Sequence, residues 1–113
     1  MTSIEKKLER SLKNASIKYG WECLKLKCVG ERGFPDRTII NHQGVYYHPE
    51  IKDTDKYADP LQVSFNNRLQ KVKARTALIN SQEKLDKFLF YVIHSLPIPA
   101  DSDLTHFKKP GST

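Results

Sequence analysis

Two acidic positions in this chain bracket a hairpin. Gly33-Phe34-Pro35-Asp36 stands on one side and Glu50-Ile51-Lys52 on the other, with 13 residues between Asp36 and Glu50. The intervening stretch reads as strand, turn and strand: Thr38-Ile39-Ile40, then Asn41-His42-Gln43-Gly44, then Val45-Tyr46-Tyr47-His48. A turn over 41–44 sets Ile40 opposite Val45 and brings Asp36 level with Pro49 or Glu50. Side chains alternate along a strand, so Glu50 and Lys52 point to the same face. Two carboxylates and one ammonium thereby converge at one end of the hairpin. Oxygen donors of this kind suit a hard cation, Mg²⁺ or Mn²⁺, and a lysine beside them suits water attacking a phosphodiester.

The rest of the chain is consistent with one small domain. Its 113 residues are 38% hydrophobic, enough for a modest core spanning residues 1–96. From Pro97 onward the composition turns to Pro, Ser, Thr, Asp and Lys, and 97–113 is expected to be a flexible tail. No apolar run approaches the ~20 residues of a membrane span. The first residues, Met1-Thr2-Ser3-Ile4-Glu5-Lys6-Lys7, lack the apolar stretch of a secretory leader, so a cytoplasmic location is expected. Cys23 and Cys28 lie five apart and would face opposite sides of one strand, too distant for a disulfide. They read as reduced, structural thiols. The net charge of +6 favours a polyanionic partner, because Lys and Arg on phosphates release counterions.

Periodicity supplies the elements. Ile4, Leu8, Leu12, Ala15 and Tyr19 form the apolar stripe of a helix over 3–19, with Thr2 and Glu5 as a capping box and Gly20 as its stop. Residues 21–28 alternate as a strand, with Lys25 and Lys27 on one face. The hairpin follows. Asp59-Pro60-Leu61-Gln62 is a helix start, and Leu61, Phe65, Leu69 and Val72 are the expected buried stripe of that helix. Residues 74–79 read as a fourth strand. Asn80 with Glu83 reads as the cap of a last helix that carries Leu85, Phe88, Leu89, Val92 and Leu96. The order α-β-β-β-α-β-α defines an α/β fold, a mixed sheet with flanking helices, in which a crossover through the second helix joins the last two strands.

The ordered motifs resemble the VRR-NUC family of the PD-(D/E)xK nuclease superfamily. Glu31-Arg32-Gly33-Phe34-Pro35-Asp36-Arg37 is similar to its Gly-x-Pro-Asp-Arg segment. Tyr47-His48-Pro49-Glu50-Ile51-Lys52 is similar to its apolar strand ending in Glu-x-Lys, and Pro60-Leu61-Gln62 to its Ser/Pro-x-x-Gln helix start. The resemblance runs from about Ser3 to about Leu89, and the size is that of small stand-alone phage and bacterial members. One position departs from it: Pro49 precedes Glu50, where the family carries a strand-forming apolar residue. Proline removes a ladder hydrogen bond and could mark a bulge that re-aims Glu50.

The resemblance implies a restriction-endonuclease-like fold and a divalent-metal-dependent, structure-specific DNA endonuclease. Its substrates would be branched DNA, the four-way junctions of repair and recombination, cut by a homodimer. Two other readings stay open: a monomeric flap or single-strand-junction nuclease, and a non-catalytic DNA-binding module of the same fold. Asp36 and Glu50 are the expected metal ligands, and the resemblance adds the Ile51 carbonyl. Lys52 is expected beside the attacking water. The resemblance also implies a helix-borne acid, for which Glu9 is favoured over Glu5, and a role at the site for Gln62, whose position at a helix start equally suits capping. Lys25, Lys27, Arg32, Arg37 and Lys56 are expected to contact DNA, the last three from loops near the site.

Overall fold

The computed structural model describes residues 3–111. Its elements follow the expected order: α1 (Ile4–Tyr19), β1 (Glu22–Lys25), β2 (Arg37–Ile40), β3 (Tyr46–Ile51), α2 (Pro60–Lys71), β4 (Thr76–Ile79) and α3 (Gln82–Ile93), with one short 3₁₀ helix, Asp103–Thr105, after them. The four strands form one mixed sheet in the order β1-β2-β3-β4. The first two pairings are antiparallel, and β3 pairs parallel to β4 across the α2 crossover.

The two faces of the sheet have different jobs. Tyr47, Ile39, Ile51, Ala77 and Ile79 face Leu8 and Leu12 of α1 and Leu85, Phe88 and Val92 of α3, and this is the main core. Tyr47 sits at its centre, edge-on to Phe88 at 5.9 Å, with its hydroxyl donating to the Leu96 carbonyl at 2.6 Å. The opposite face carries His48 and Glu50 and is covered by α2. There Phe34 lies edge-on to both Phe65 and His48, each at 5.5 Å.

Several local expectations change. The cap of α1 is Ser3, whose side chain accepts from the Lys6 amide; Thr2 lies outside the described residues. Ser81, not Asn80, caps α3, and Asn80 instead donates to the Lys56 carbonyl at 2.9 Å. On α2 the buried positions are Phe65 and Asn66, while Leu61 and Val72 are exposed. The first strand is short and ends at Lys25, leaving Lys27 in a loop. The hairpin register moves by one residue: Ile40 pairs with Tyr46, not Val45. Asn41 joins the ladder, its amide donating to the Val45 carbonyl at 2.9 Å. Its side-chain oxygen accepts from the amides of Gln43 and Val45. The turn is therefore three residues long and closes on Gly44 at φ 77°, a conformation in which glycine carries no Cβ penalty.

The largest change concerns the C-terminal segment. Residues 97–111 do not form the expected flexible tail, and the core does not stop at residue 96. Leu104 is fully buried and Phe107 nearly so. The Ala58 amide donates to the Phe107 carbonyl at 3.0 Å, and Lys87 pairs with Asp103 at 3.1 Å. The segment packs beside β4, an outer strand, and so covers an edge that would otherwise be open to pairing with another chain.

Candidate active site

The site forms where β3 leaves its pairing with β2. The amides of His48 and Lys52 donate to the Arg75 and Ile79 carbonyls, so the even positions of β3 turn their backbone groups toward β4. The odd positions, Pro49 and Ile51, turn theirs toward β2. Pro49 has no N–H to offer there, and the β2–β3 pairing ends at Ile39 and Tyr47, while β4 pairs with β3 straight through Pro49. The proline thus marks the end of one ladder within a strand that the other ladder holds in place. The Ile51 carbonyl lies beyond the last β2–β3 pair and faces the β2 side.

Continuing that register outward sets Asp36 level with Glu50. Asp36 is exposed and Glu50 only 2% exposed. Burial pushes the Glu50 carboxyl up to about 7, and the negative charge of Asp36 adds to the rise. Lys52 opposes it, and Asp59 and Glu5 contribute smaller increases. Negative charge gathered around a buried carboxyl, with one ammonium against it, is an environment a cation would relieve.

Gln62 joins both of its expected roles in one side chain. Its Oε1 accepts from the Asp59 amide at 3.0 Å while its own amide donates to Asp59 Oδ1 at 2.9 Å, completing a capping box. Its Nε2 donates to Glu50 Oε1 at 2.9 Å. The first turn of α2 is in turn pressed by the loop that carries Asp36. Gly33, at φ 92°, packs so closely that a Cβ there would run into the Leu61 carbonyl. Glu31 of the same loop pairs with Arg68 at 3.2 Å.

On α1, Glu5 and Glu9 are both half-buried. Glu5, not Glu9, is the α1 carboxylate whose charge reaches Glu50. Both lie on the same side of the helix, one turn apart. Among the described residues no group of three or more His, Cys, Asp or Glu side chains is placed to hold a metal ion. Asp36, whose charge acts on Glu50, and Glu50 itself offer only hard carboxylate oxygens. Such a set fits Mg²⁺ or Mn²⁺, which keep several coordination positions for water and phosphate.

The basic residues divide. Lys25 and Lys27 border a hollow of about 370 Å³ together with Leu26 and Asp36. Arg32 is exposed in the loop between β1 and β2, and Lys56 is exposed in the loop after β3. Arg37 is not in a loop: it opens β2 and is 8% exposed, so its stem belongs to the packed sheet. His48 is half-buried, its imidazole against Thr38 at 3.2 Å, and burial holds its pKa below the ordinary value. The resemblance points to a role for Gln62 at the site, and its contact with Glu50 Oε1 depends on the tertiary path of α2.

A solved structure described as a VRR_NUC domain is similar to this chain, with a TM-score of 0.72 and 26% identity over 80% of this chain and 98% of its own. No protein-family model and no curated protein matches the sequence. No helix among the described residues is long and apolar enough to cross a membrane.

Proposed function

We propose that this chain, similar in fold to a VRR_NUC domain, is a nuclease of the VRR-NUC family that hydrolyses DNA phosphodiesters with a divalent cation at Asp36 and Glu50. The observation that carries the reading is that the charges of Asp36 and Lys52 both act on the buried Glu50 carboxyl, inside a fold shared with a VRR_NUC domain. Asp36, Glu50 and the Ile51 carbonyl would hold Mg²⁺ or Mn²⁺, which when bound would polarise a phosphoryl oxygen and acidify a water. The protein's own groups do the rest. Gln62 fixes one oxygen of Glu50 and leaves the other free. Lys52 stands over the place where negative charge develops on the phosphate. Glu5, rather than Glu9, is the helix-borne acid able to orient water from the α1 side. Lys25, Lys27, Arg32 and Lys56 hold the DNA backbone, offsetting the repulsion between phosphates and the acidic cluster.

The preferred substrate in this reading is a four-way junction, cut to leave a 5′-phosphate and a 3′-hydroxyl. One small domain carries one site, and a junction needs two cuts, so the active species is a two-fold homodimer. Phe90 on α3, 53% accessible, and Tyr19, 38% accessible and stacked on the buried Trp21 at 5.1 Å, are among the exposed apolar side chains available for it. The cell compartment is the cytoplasm of a bacterium or of a phage-infected host. One gel tests the proposal: labelled duplex, flap and four-way junction DNA, each with Mg²⁺, with Mn²⁺ and with EDTA. Metal-dependent cutting that favours the junction is expected, and Lys52→Ala should abolish cutting while binding survives. Binding without cutting of any substrate would leave a non-catalytic DNA-binding module; cutting of flaps alone by a monomer would remove the junction assignment.

A further inference from the structure

Phe34 stands two residues before Asp36, and its half-buried ring is held by two elements at once. It meets the Phe65 ring of α2 edge-on at 5.5 Å and the His48 ring of β3 edge-on at 5.5 Å, the arrangement aromatic pairs prefer. Pro35, next in the chain, is buried, and Arg37 opens β2 opposite Lys25. Asp36 is exposed between these two anchors. The seat of Phe34 fixes it on one side and the β1–β2 ladder on the other. The locked φ of Pro35 leaves few backbone rotations between the seat and the carboxylate.

The rest of the loop has weaker holds. Upstream the chain turns over 28–31, where the Glu31 amide donates to the Cys28 carbonyl at 3.2 Å, and Val29 at that turn is 96% exposed. The side chains of the Glu31–Arg68 pair are 46% and 59% exposed, and pairs of that kind contribute little. Gly33 packs against the Leu61 carbonyl but has no side chain to bury. Within 31–36, Phe34 is the large apolar side chain, so its ring is the principal grip of this segment on the fold.

The helix it grips is also the one that holds Glu50. Phe65 and Gln62 are three residues apart and share a side of α2, and Gln62 Nε2 donates to Glu50 Oε1 at 2.9 Å. Asp36 and Glu50 belong to different arms of the hairpin, yet each is tied to α2, one through Phe34 and Phe65, the other through Gln62. The helix is thus a bracket that sets the two carboxylates against each other.

We propose that Phe34 is a positioning residue for the site: seated on Phe65 and His48, it holds the Asp36 carboxylate where, with Glu50, it can take a divalent cation. The cation rests on the nuclease reading above; the positioning of Asp36 does not.

Two measurements test it. Backbone amide relaxation by nuclear magnetic resonance, on the metal-free protein, reads the order of Asp36. In the parent its order parameter should be about 0.85, as in a rigid strand, and Phe34→Ala should lower it to about 0.6. Titration calorimetry reads Mn²⁺ affinity. Phe34→Ala should bind Mn²⁺ about tenfold more weakly than the parent, the usual scale for losing a group that orients a ligand. Phe34→Leu, which refills most of the seat, should return to within about threefold. Phe88→Leu is the control for stability: Phe88 is fully buried in the core on the other face of the sheet, so its change weakens the fold and should leave both readouts at the parent's values. An Asp36 amide that stays ordered in Phe34→Ala, an unchanged Mn²⁺ affinity there, or an equal loss in Phe88→Leu would each overturn the proposal. If Phe34→Ala does not fold, Phe34→Val takes its place with the same outcomes. A parent that binds no Mn²⁺, with Asp36 loosened in Phe34→Ala, would refute the metal reading alone. A parent that binds Mn²⁺ through Asp36, with order and affinity indifferent to Phe34, would refute the positioning alone.

Discussion

Gln62 Nε2 donates to Glu50 Oε1 at 2.9 Å while Gln62 Oε1 accepts from the amide of Asp59, the cap of the same helix. One side chain thus fastens the start of α2 and the buried carboxyl of β3 together. The pairing has a mechanical consequence: the orientation of Glu50 depends on the helix being capped, and a change at Gln62 moves both.

Substitutions at Gln62 should separate the two contacts. Gln62→Ala removes the cap acceptor and the donor to Glu50, and should cost about 1–2 kcal/mol in urea unfolding. Gln62→Glu keeps an oxygen for the Asp59 amide but sets a second carboxylate against Glu50. At pH 7.5 in EDTA it should be less stable than Gln62→Ala, and at pH 5, where Glu50 holds its proton, it should recover to near the parent. Equal stability of Gln62→Glu and the parent at pH 7.5 would show that the contact with Glu50 is not made in solution.

Metal-free stability should fall with pH because of Glu50. Its folded carboxyl is raised from 4.5 to about 7 by burial and by Asp36. A raised acid binds its proton more tightly when folded, so the associated stability is complete below about pH 4.5 and is lost as pH climbs to about 7. The difference converts to about 3 kcal/mol at most. Thermal melting in EDTA should show this loss in the parent and a flat profile over the same range in Glu50→Gln. Parallel profiles for the two proteins would place the titrating group elsewhere.

The C-terminal segment should behave as core. Leu104→Ala, at a fully buried position, should cost about 2–5 kcal/mol, and removal of 97–113 should leave a chain that unfolds readily or associates through the bared edge of β4. Urea titration with light scattering reads both. A truncated chain as stable and monomeric as the parent would return this segment to the role of a tail.

That segment also shows where a single sequence stops being informative. The helices and strands with strong periodicity, α1, α3 and the β2–β3 hairpin, were readable because many residues repeat one signal. Leu104 and Phe107 are two apolar residues in a polar stretch, with no period to mark them, and their burial follows from the hollow beside β4 that only the assembled sheet creates. The hairpin register slipped because Asn41 uses its side chain to complete the turn while its backbone stays in the ladder, a choice local composition leaves open. Asp36, Glu50 and Lys52 stand out as motif residues in order, and the hairpin that sets Asp36 near the level of Glu50 was legible. The choice between Glu5 and Glu9 was not, because residues one turn apart on one helix face carry the same local signal.

The central claim is that Asp36 and Glu50 together hold a divalent cation, and titration calorimetry of Mn²⁺ into the metal-free protein near pH 7 tests it most directly. The account predicts binding accompanied by proton release, seen as a buffer-dependent heat, since Glu50 is partly protonated there and must give up its proton to the cation. Asp36→Asn and Glu50→Gln should each remove that binding. Mn²⁺ bound with unchanged affinity and heat by both variants would contradict the account.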